Sequence, residues 1–292
     1  MDRITFVISV FCLIADWLKE QRVRQRGPQP ILFDSEVLTI EVVGAFLGVD
    51  TDEGVDTYFR RFYPDLFPRL ARVHRTTFAR QAANLWKVKQ ALWQDLLTHI
   101  AYDPAVSVID SFPLPVCRFA RSPHCQRLRE YAAYGYDDVS QQIYYGLRVH
   151  LRLCWPGVIV AVALAPANEA DLPVATEALL PDVTGWVLAD RNYQSAWQPH
   201  PWVTPDVYPL IPPKHRQHES VPWPRELTQM RRRIETVFSQ LVERYRTKRV
   251  WARDLWHLSA RWLRCVLSHT MAVLLCQHAR LPPLQFDRLL TD

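Results

Sequence analysis

Between residues 105 and 190 the chain carries four runs of strand character, and two of them end on an aspartate. Ala105 to Asp110 and Gly185 to Asp190 are short apolar runs closing on an acid, Tyr144 to Leu153 alternates apolar with polar residues, and Gly157 to Leu164 is dense in β-formers. A strand apolar on both faces belongs at the centre of a sheet, so a carboxylate at its end needs water, a cation or a hydrogen-bond network to offset desolvation. Ala105 to Asp110, Tyr144 to Leu153 and Gly157 to Leu164 read as consecutive antiparallel strands. Asp171 to Leu180 reads as a helix, Gly185 to Asp190 as a further buried strand, and Val207 to Ile211 as a last short one. Strands interleaved with helices make the fold class mixed α/β, or α+β.

The first hundred residues have helical periodicity instead. Ile4, Val7, Ile8, Phe11, Ile14 and Leu18 share a face, and that segment ends in the basic run from Arg22 to Arg26 before Gly27 and Pro28. A second helix is signalled by Asp34 or Ser35 as cap, Glu36 in the first turn and Gly48 as terminator. Val55 to Tyr63 gives a short aromatic helix stopped by Pro64, and a fourth helix begins near Thr76 and carries Phe78 through Leu97. Helices resume around Arg225 to Lys248 and Leu255 to His278. The expected organisation is a helical region over residues 1–100 and an α/β domain over 101–292. Because the fourth helix opens on Arg72, Arg75, Thr76, Thr77 and Arg80, the helical region could act as a helix-turn-helix-like reader of DNA; a structural or dimerising bundle is the alternative.

Composition narrows the chemistry. With 8 glycines against 22 prolines, neither G-x-G-x-x-G nor G-x-x-x-x-G-K-[ST] occurs, which disfavours nucleotide-binding folds. The net charge of +5 is modest but unevenly spread. Residues 28–66 hold 8 acids and 2 arginines, and residues 214–264 hold 13 Lys or Arg and 5 acids, so the balance swings from −6 to +8. Such asymmetry is expected where one face meets a polyanion. The six cysteines form no C-x-x-C pair and are expected to be reduced and buried; Cys117, His124 and Cys125 are only a partial metal-site pattern. The apolar stretch from Ile4 to Ile14 is short and has no basic leader, so it is expected to be a core helix of a cytoplasmic protein that does not enter a membrane.

A third acid joins the two strand-terminal aspartates. Glu235 lies beside the helical apolar face formed by Ile234, Val237, Phe238 and Leu241, so its helix could lay it near Asp110 and Asp190. Three carboxylates suit Mg²⁺ or Mn²⁺, which take oxygen ligands, and suit Zn²⁺ poorly. Two such ions can activate a nucleophile and stabilise a leaving oxygen in phosphodiester chemistry. Arg231, Arg232, Arg233, Arg244, Arg246, Lys248, Arg249 and Arg253 surround or follow Glu235, which fits a phosphate backbone better than a neutral substrate.

These residues resemble bacterial insertion-sequence transposases of the DDE type, most closely the insertion-sequence 982 family. The similarity runs in order through Asp34 to Val43, Arg75 to Trp86, Val108 to Cys117 (VIDSFPLPVC), Tyr134 to Tyr136 with Tyr144 to Gly146, Leu164 to Asn168, Leu188 to Tyr193 (LADRNY), and Arg233 to Val237 (RIETV) leading to Ala252 to His257. The resemblance implies an RNase H-like catalytic domain in which Asp110, Asp190 and Glu235 bind two Mg²⁺ ions, with Mn²⁺ as a possible substitute. It implies cleavage at element ends and attack of the freed 3′-hydroxyl on target DNA, double-stranded DNA as partner, and a homodimer or higher multimer that joins two ends. Arg75, Arg80, Arg191, Arg231, Arg232, Arg244 and Lys248 are the candidate DNA contacts. Related enzymes often carry a tyrosine, an arginine and a lysine around the glutamate; here Arg231 takes the arginine place while Thr228 and Val242 stand at the other two. Arg191 follows Asp190 where a lysine is more usual. An inactive or repurposed DNA-binding protein, or a nuclease that cuts without joining, is the alternative on the same scaffold.

Smaller features are read more plainly. His150 is expected to be an interior or edge strand residue, Asp137 and Asp138 to shape a turn, and Asn168 and Glu169 are candidates for the cleft. Trp197, Trp202 and Trp223 in the proline-rich loop are candidates for base stacking, whereas Trp251, Trp256 and Trp262 are expected in the core.

Overall fold

The computed structural model describes residues 1–21, 29–196, 199–212 and 225–291. In chain order its elements are α1 (Arg3–Glu20), α2 (Asp34–Phe46), α3 (Asp52–Phe62), α4 (Arg75–Asn84), α5 (Trp86–His99), β1 (Asp103–Pro115), β2 (Ala133–Asp137), β3 (Gln142–Trp155), β4 (Val158–Pro166), α6 (Asp171–Ala178), β5 (Gly185–Leu188), β6 (Val207–Leu210), α7 (Arg225–Ser239) and α8 (Leu255–His278). Two compact units result: residues 1–100 with 240–292, and residues 101–239. The break at residue 100 coincides with the change of periodicity. The last 53 residues group with the helices of the first hundred and not with the α/β domain, which corrects the expected boundary of 101–292.

The helical unit is built around α2 and α8. Every residue from Glu36 to Phe46 and from Arg264 to Cys276 is buried. A helix covered on all sides must lie at the centre of its layer, and each fully enclosed Leu, Ile, Val or Phe there contributes about 1.5–3 kcal/mol. The Ser268 hydroxyl donates to the Val42 carbonyl at 2.7 Å, joining the two central helices. Capping follows local chemistry: Thr51 accepts from the Gly54 amide at the start of α3, and Asp254 accepts from the His257 amide at the start of α8. The N-cap of α2 is Phe33, ahead of both expected residues, Asp34 and Ser35, with Glu36 accepting from the Phe33 amide at 2.8 Å. The fourth helix of the sequence reading is two, α4 and α5, separated at Leu85. Trp251 and Trp256, expected in the core, are exposed, because Trp251 precedes α8 and Trp256 sits in its first turn, before the helix enters the interior; Trp262 is buried.

The second unit is a mixed sheet with helices on its two faces. β3 pairs antiparallel with β1 on one edge and with β2 and then β4 on the other, while β5 and β6 extend the β1 side in parallel. Gly146 lies where β1 and β2 both meet β3, and a Cβ there would collide with the Leu114 carbonyl, so the close approach requires glycine. Ile109 packs with Ala175 of α6, with Leu179 just past its end, and with Val187, Val207, Tyr193 and Trp202 in one core cluster. Phe112, of opposite parity on β1, meets Phe238 of α7 edge to face at 4.8 Å. The turn expected at Asp137 and Asp138 joins β2 to β3, with Asp137 accepting from Val139 and Ser140; β2 itself has no counterpart among the expected strands.

Among the six cysteines, Cys154, Cys265 and Cys276 are buried as expected, but Cys12 is exposed and Cys117 and Cys125 are half-buried. Cys12 falls on the outer face of α1, whose inner face is Phe6, Val7, Val10 and Ile14. No described helix is long and apolar enough to cross a membrane.

Candidate active site

The parallel pairing of β1 with β5 fixes the two aspartates. Val106, Ser107 and Val108 stand opposite Trp186, Val187 and Leu188, where the ladder stops. Asp110 follows two residues on, inside β1 and paired with β3, and Asp190 lies two residues past the end of β5, near enough for its charge to act on Asp110. The carboxyl end of a parallel strand such as β5 opens into the crevice where α/β sheets bind ligands. Asp110 accepts from the Ser111 amide and Asp190 from the Asn192 amide, each at 2.7 Å. Burial pushes the Asp110 carboxyl up to about 7, with the Ser111 amide opposing and the charge of Asp190 adding to the rise. Asp190 is likewise raised, chiefly by burial, against the Asn192 amide. Arg231 of α7 offsets part of the rise at both. Two half-buried carboxyls within reach of each other's charge form a site that attracts a cation or a proton.

Glu235 is exposed on α7. Arg231, Glu235 and Phe238 are four and three residues apart, so they form one stripe along the helix, and Phe238 anchors that stripe on Phe112, two residues past Asp110. Glu235 is thus on the side of α7 that meets the Asp110 face of β1. Among the described residues, no group of three His, Cys, Asp or Glu is gathered closely enough to hold a metal ion. The structure therefore pairs Asp110 with Asp190 and leaves Glu235 outside a closed ligand cluster.

A polar group that the sequence reading did not single out lies behind the aspartates. Asp171, the first residue of α6, is buried and accepts from Arg148 Nη1 at 3.1 and 3.2 Å and from the Ser111 hydroxyl at 3.2 Å. His150 is fully buried beside it, its Nδ1 3.8 Å from Asp171, and burial, reinforced by Arg148, lowers its pKa to about 4, so the ring is neutral. The interior position expected for His150 is what the structure shows. Asp171 looked like an ordinary acid in a first helical turn; the signal that could have found it is Arg148 and His150, two basic residues on one face of an apolar strand, which need a buried acceptor.

Of the candidate DNA contacts, Arg191 and Arg232 are exposed and Arg231 half-buried in the sheet unit, whereas Arg75, Arg80, Arg244 and Lys248 belong to the helical unit. Arg75 pairs with Glu53. Arg244 is engaged inside its unit by Asp287, by the Phe46 carbonyl and by the Phe46 ring. Arg80 and Lys248 are exposed. Asn168 and Glu169 are exposed after β4. Trp202 is buried in the core cluster, with its indole donating to Thr176, so it cannot stack on a base; Trp197 and Trp223 lie outside the described residues, as do the basic run 22–26 and Lys214.

A family model described as the transposase DDE domain matches residues 101–251, just over half of the chain. The chain belongs to this transposase family. The match begins with β1, spans both aspartates, and passes through α7, so the transposase signature covers the whole sheet unit and the start of the following segment. No curated protein and no solved structure gives a significant match.

Proposed function

We propose that this transposase is the DNA-cleaving and strand-joining enzyme of an insertion sequence, of the insertion-sequence 982 type, with an RNase H-like catalytic unit. The observation that carries the reading is that Asp110, in β1 just past its ladder with β5, feels the charge of Asp190, just past the end of β5, and that both carboxyls are raised with Arg231 as their shared counter-charge. The strand order, with antiparallel β4, β3 and β1 followed by parallel β5 and β6, supports the RNase H-like assignment.

The donor set fits Mg²⁺, or Mn²⁺ in its place. Mg²⁺ is commonly held by one or two carboxylates together with substrate phosphates, which suits two oxygen-bearing side chains without His or Cys. Asp110 and Asp190 would hold the metal, with Glu235 as the third carboxylate from α7. When bound, a pair of such ions supplies charge to activate a hydroxyl nucleophile and to stabilise the leaving oxygen. The protein's own contributions are positional. The Ser111 and Asn192 amides orient the two carboxylates, while Arg231 lies on the α7 stripe whose charge reaches both, suited to a phosphate between them. Arg191 and Arg232 are exposed for neighbouring backbone phosphates, and Arg75, Arg80, Arg244 and Lys248 serve end binding from the helical unit. Double-stranded DNA is the substrate and target, and two or more copies hold the ends together in the cytoplasm.

The test is a cleavage and joining assay on DNA carrying the flanking ends of the source element, with and without Mg²⁺, using Asp190→Ala as control. Site-specific nicks and joined strands that vanish in the control are expected. Nicks without joining would identify a nuclease, and binding of the ends with no cleavage in Mg²⁺ or Mn²⁺ would identify a DNA-binding protein on this scaffold.

A further inference from the structure

Asp110 is held by a chain of contacts that begins elsewhere in the sheet. Arg148 of β3 donates through Nη2 to the Tyr136 carbonyl of β2 at 3.0 Å and through Nη1 to both oxygens of Asp171. Asp171 in turn accepts from the Ser111 hydroxyl, and the Ser111 amide donates to Asp110 Oδ1. Ser111 points to the α6 face and Asp110 to the opposite one, so a single residue ties the buried ion pair on one side of the sheet to the carboxylate on the other. The β1 to β5 ladder ends at Val108 and Leu188, which leaves the segment carrying Asp110 and Ser111 without strand pairing on that side. Asp171 supplies the missing anchor.

We infer that Asp171, clamped by Arg148, is a positioning residue that fixes Asp110 through Ser111. Asp171 touches neither DNA nor reacting atoms; it sets the orientation in which Asp110 meets its ligand. This rests on the metal-binding reading of Asp110 for its consequence, but its geometry can be read without metal.

The experiment compares the full-length wild type with Ser111→Ala, Asp171→Ala and the double variant, after melting curves establish which fold. The metal-free readout is hydrogen exchange of the amide at position 111, as a protection factor. The second readout is Mn²⁺ binding by calorimetry. Each single variant should lower the protection factor and weaken Mn²⁺ binding about tenfold, the scale of losing a residue that orients a ligand. The double variant should be no worse than either single, because the two act in series. Should Asp171→Ala fail to fold with its Arg148 charge left unpaired, Ser111→Ala alone still decides, since it removes only a hydroxyl. Unchanged protection in folded Ser111→Ala, or losses that multiply in the double variant, would overturn the inference. Mn²⁺ binding that survives Asp110→Ala would overturn the metal reading instead, while the protection factor still decides the positioning role.

Discussion

The two units treat buried charge in opposite ways. In the helical unit, Lys89 of α5 meets Glu41 of α2 at 2.7 Å, and Arg264 of α8 meets Asp52 of α3 at 2.8 Å and Glu41 at 3.6 Å, so two cations face two acids. Burial pushes Glu41 up and Lys89 down, and their mutual attraction opposes both shifts. In the sheet unit, Asp171 receives a full partner in Arg148, but Asp110 and Asp190 face one another with only part of their charge offset. Compensated charge ties helices together and has little chemistry left to offer. Uncompensated charge is a cost to folding that persists where a ligand is to be bound.

The largest effect should come from removing the uncompensated pair. Asp110→Asn or Asp190→Asn should lower DNA-end cleavage by on the order of 10³-fold, the scale of losing a group that stabilises charge in a transition state, while thermal melting stays the same or rises because the like-charge contact is gone. A melting point that falls sharply in both would place these residues with the structural charges and erase the contrast. In the helical unit the expectation reverses. Lys89→Met should cost about 3–5 kcal/mol in urea unfolding, since it leaves Glu41 buried beside fewer cations, and adding Glu41→Leu should recover most of the loss. A double variant no more stable than Lys89→Met would mean that the pair is not a closed unit.

A smaller effect sharpens the comparison from the side of a neutral group. His269 of α8 is buried against Gln240, Tyr245 and Phe286, none of them charged, and burial holds its pKa at about 3. The folded value lies below the ordinary one near 6.5, so its contribution is complete above that pH. It is lost as pH falls toward 3, with a slope of at most about 1.4 kcal/mol per pH unit. His269→Gln should flatten the acid limb of a stability profile by that amount; an unchanged limb would show that the ring is protonated in the folded state.

Much of this was legible in the chain. The switch from helical to strand periodicity near residue 104 falls close to the start of the sheet unit, and the apolar runs 105–110 and 185–190 marked β1 and β5; that β1 continues past Asp110 to Pro115 was hidden by Pro113 and Pro115, which read as strand breakers. The return of residues 240–292 to the helical unit was hidden, since an apolar helix such as α8 declares that it is buried but not against what. β2 was hidden by its length of five residues and by Gly135, which reads as a turn. The break between α4 and α5 at Leu85 falls in an apolar stretch with neither glycine nor proline to mark it. Asp171 was hidden because its partners come from 23 and 60 residues earlier, a distance over which spacing carries no information.

The most direct test of the account sets the two kinds of charge side by side in one assay. Mg²⁺-dependent cleavage of element-end DNA would be measured for the wild type, for Asp110→Asn, Asp190→Asn and Glu235→Gln, and for the Lys89→Met, Glu41→Leu double variant. Cleavage should be lost in the three carboxylate variants and kept in the wild type and in the Lys89→Met, Glu41→Leu double variant; cleavage that persists in Asp110→Asn and Asp190→Asn would contradict the metal-site reading.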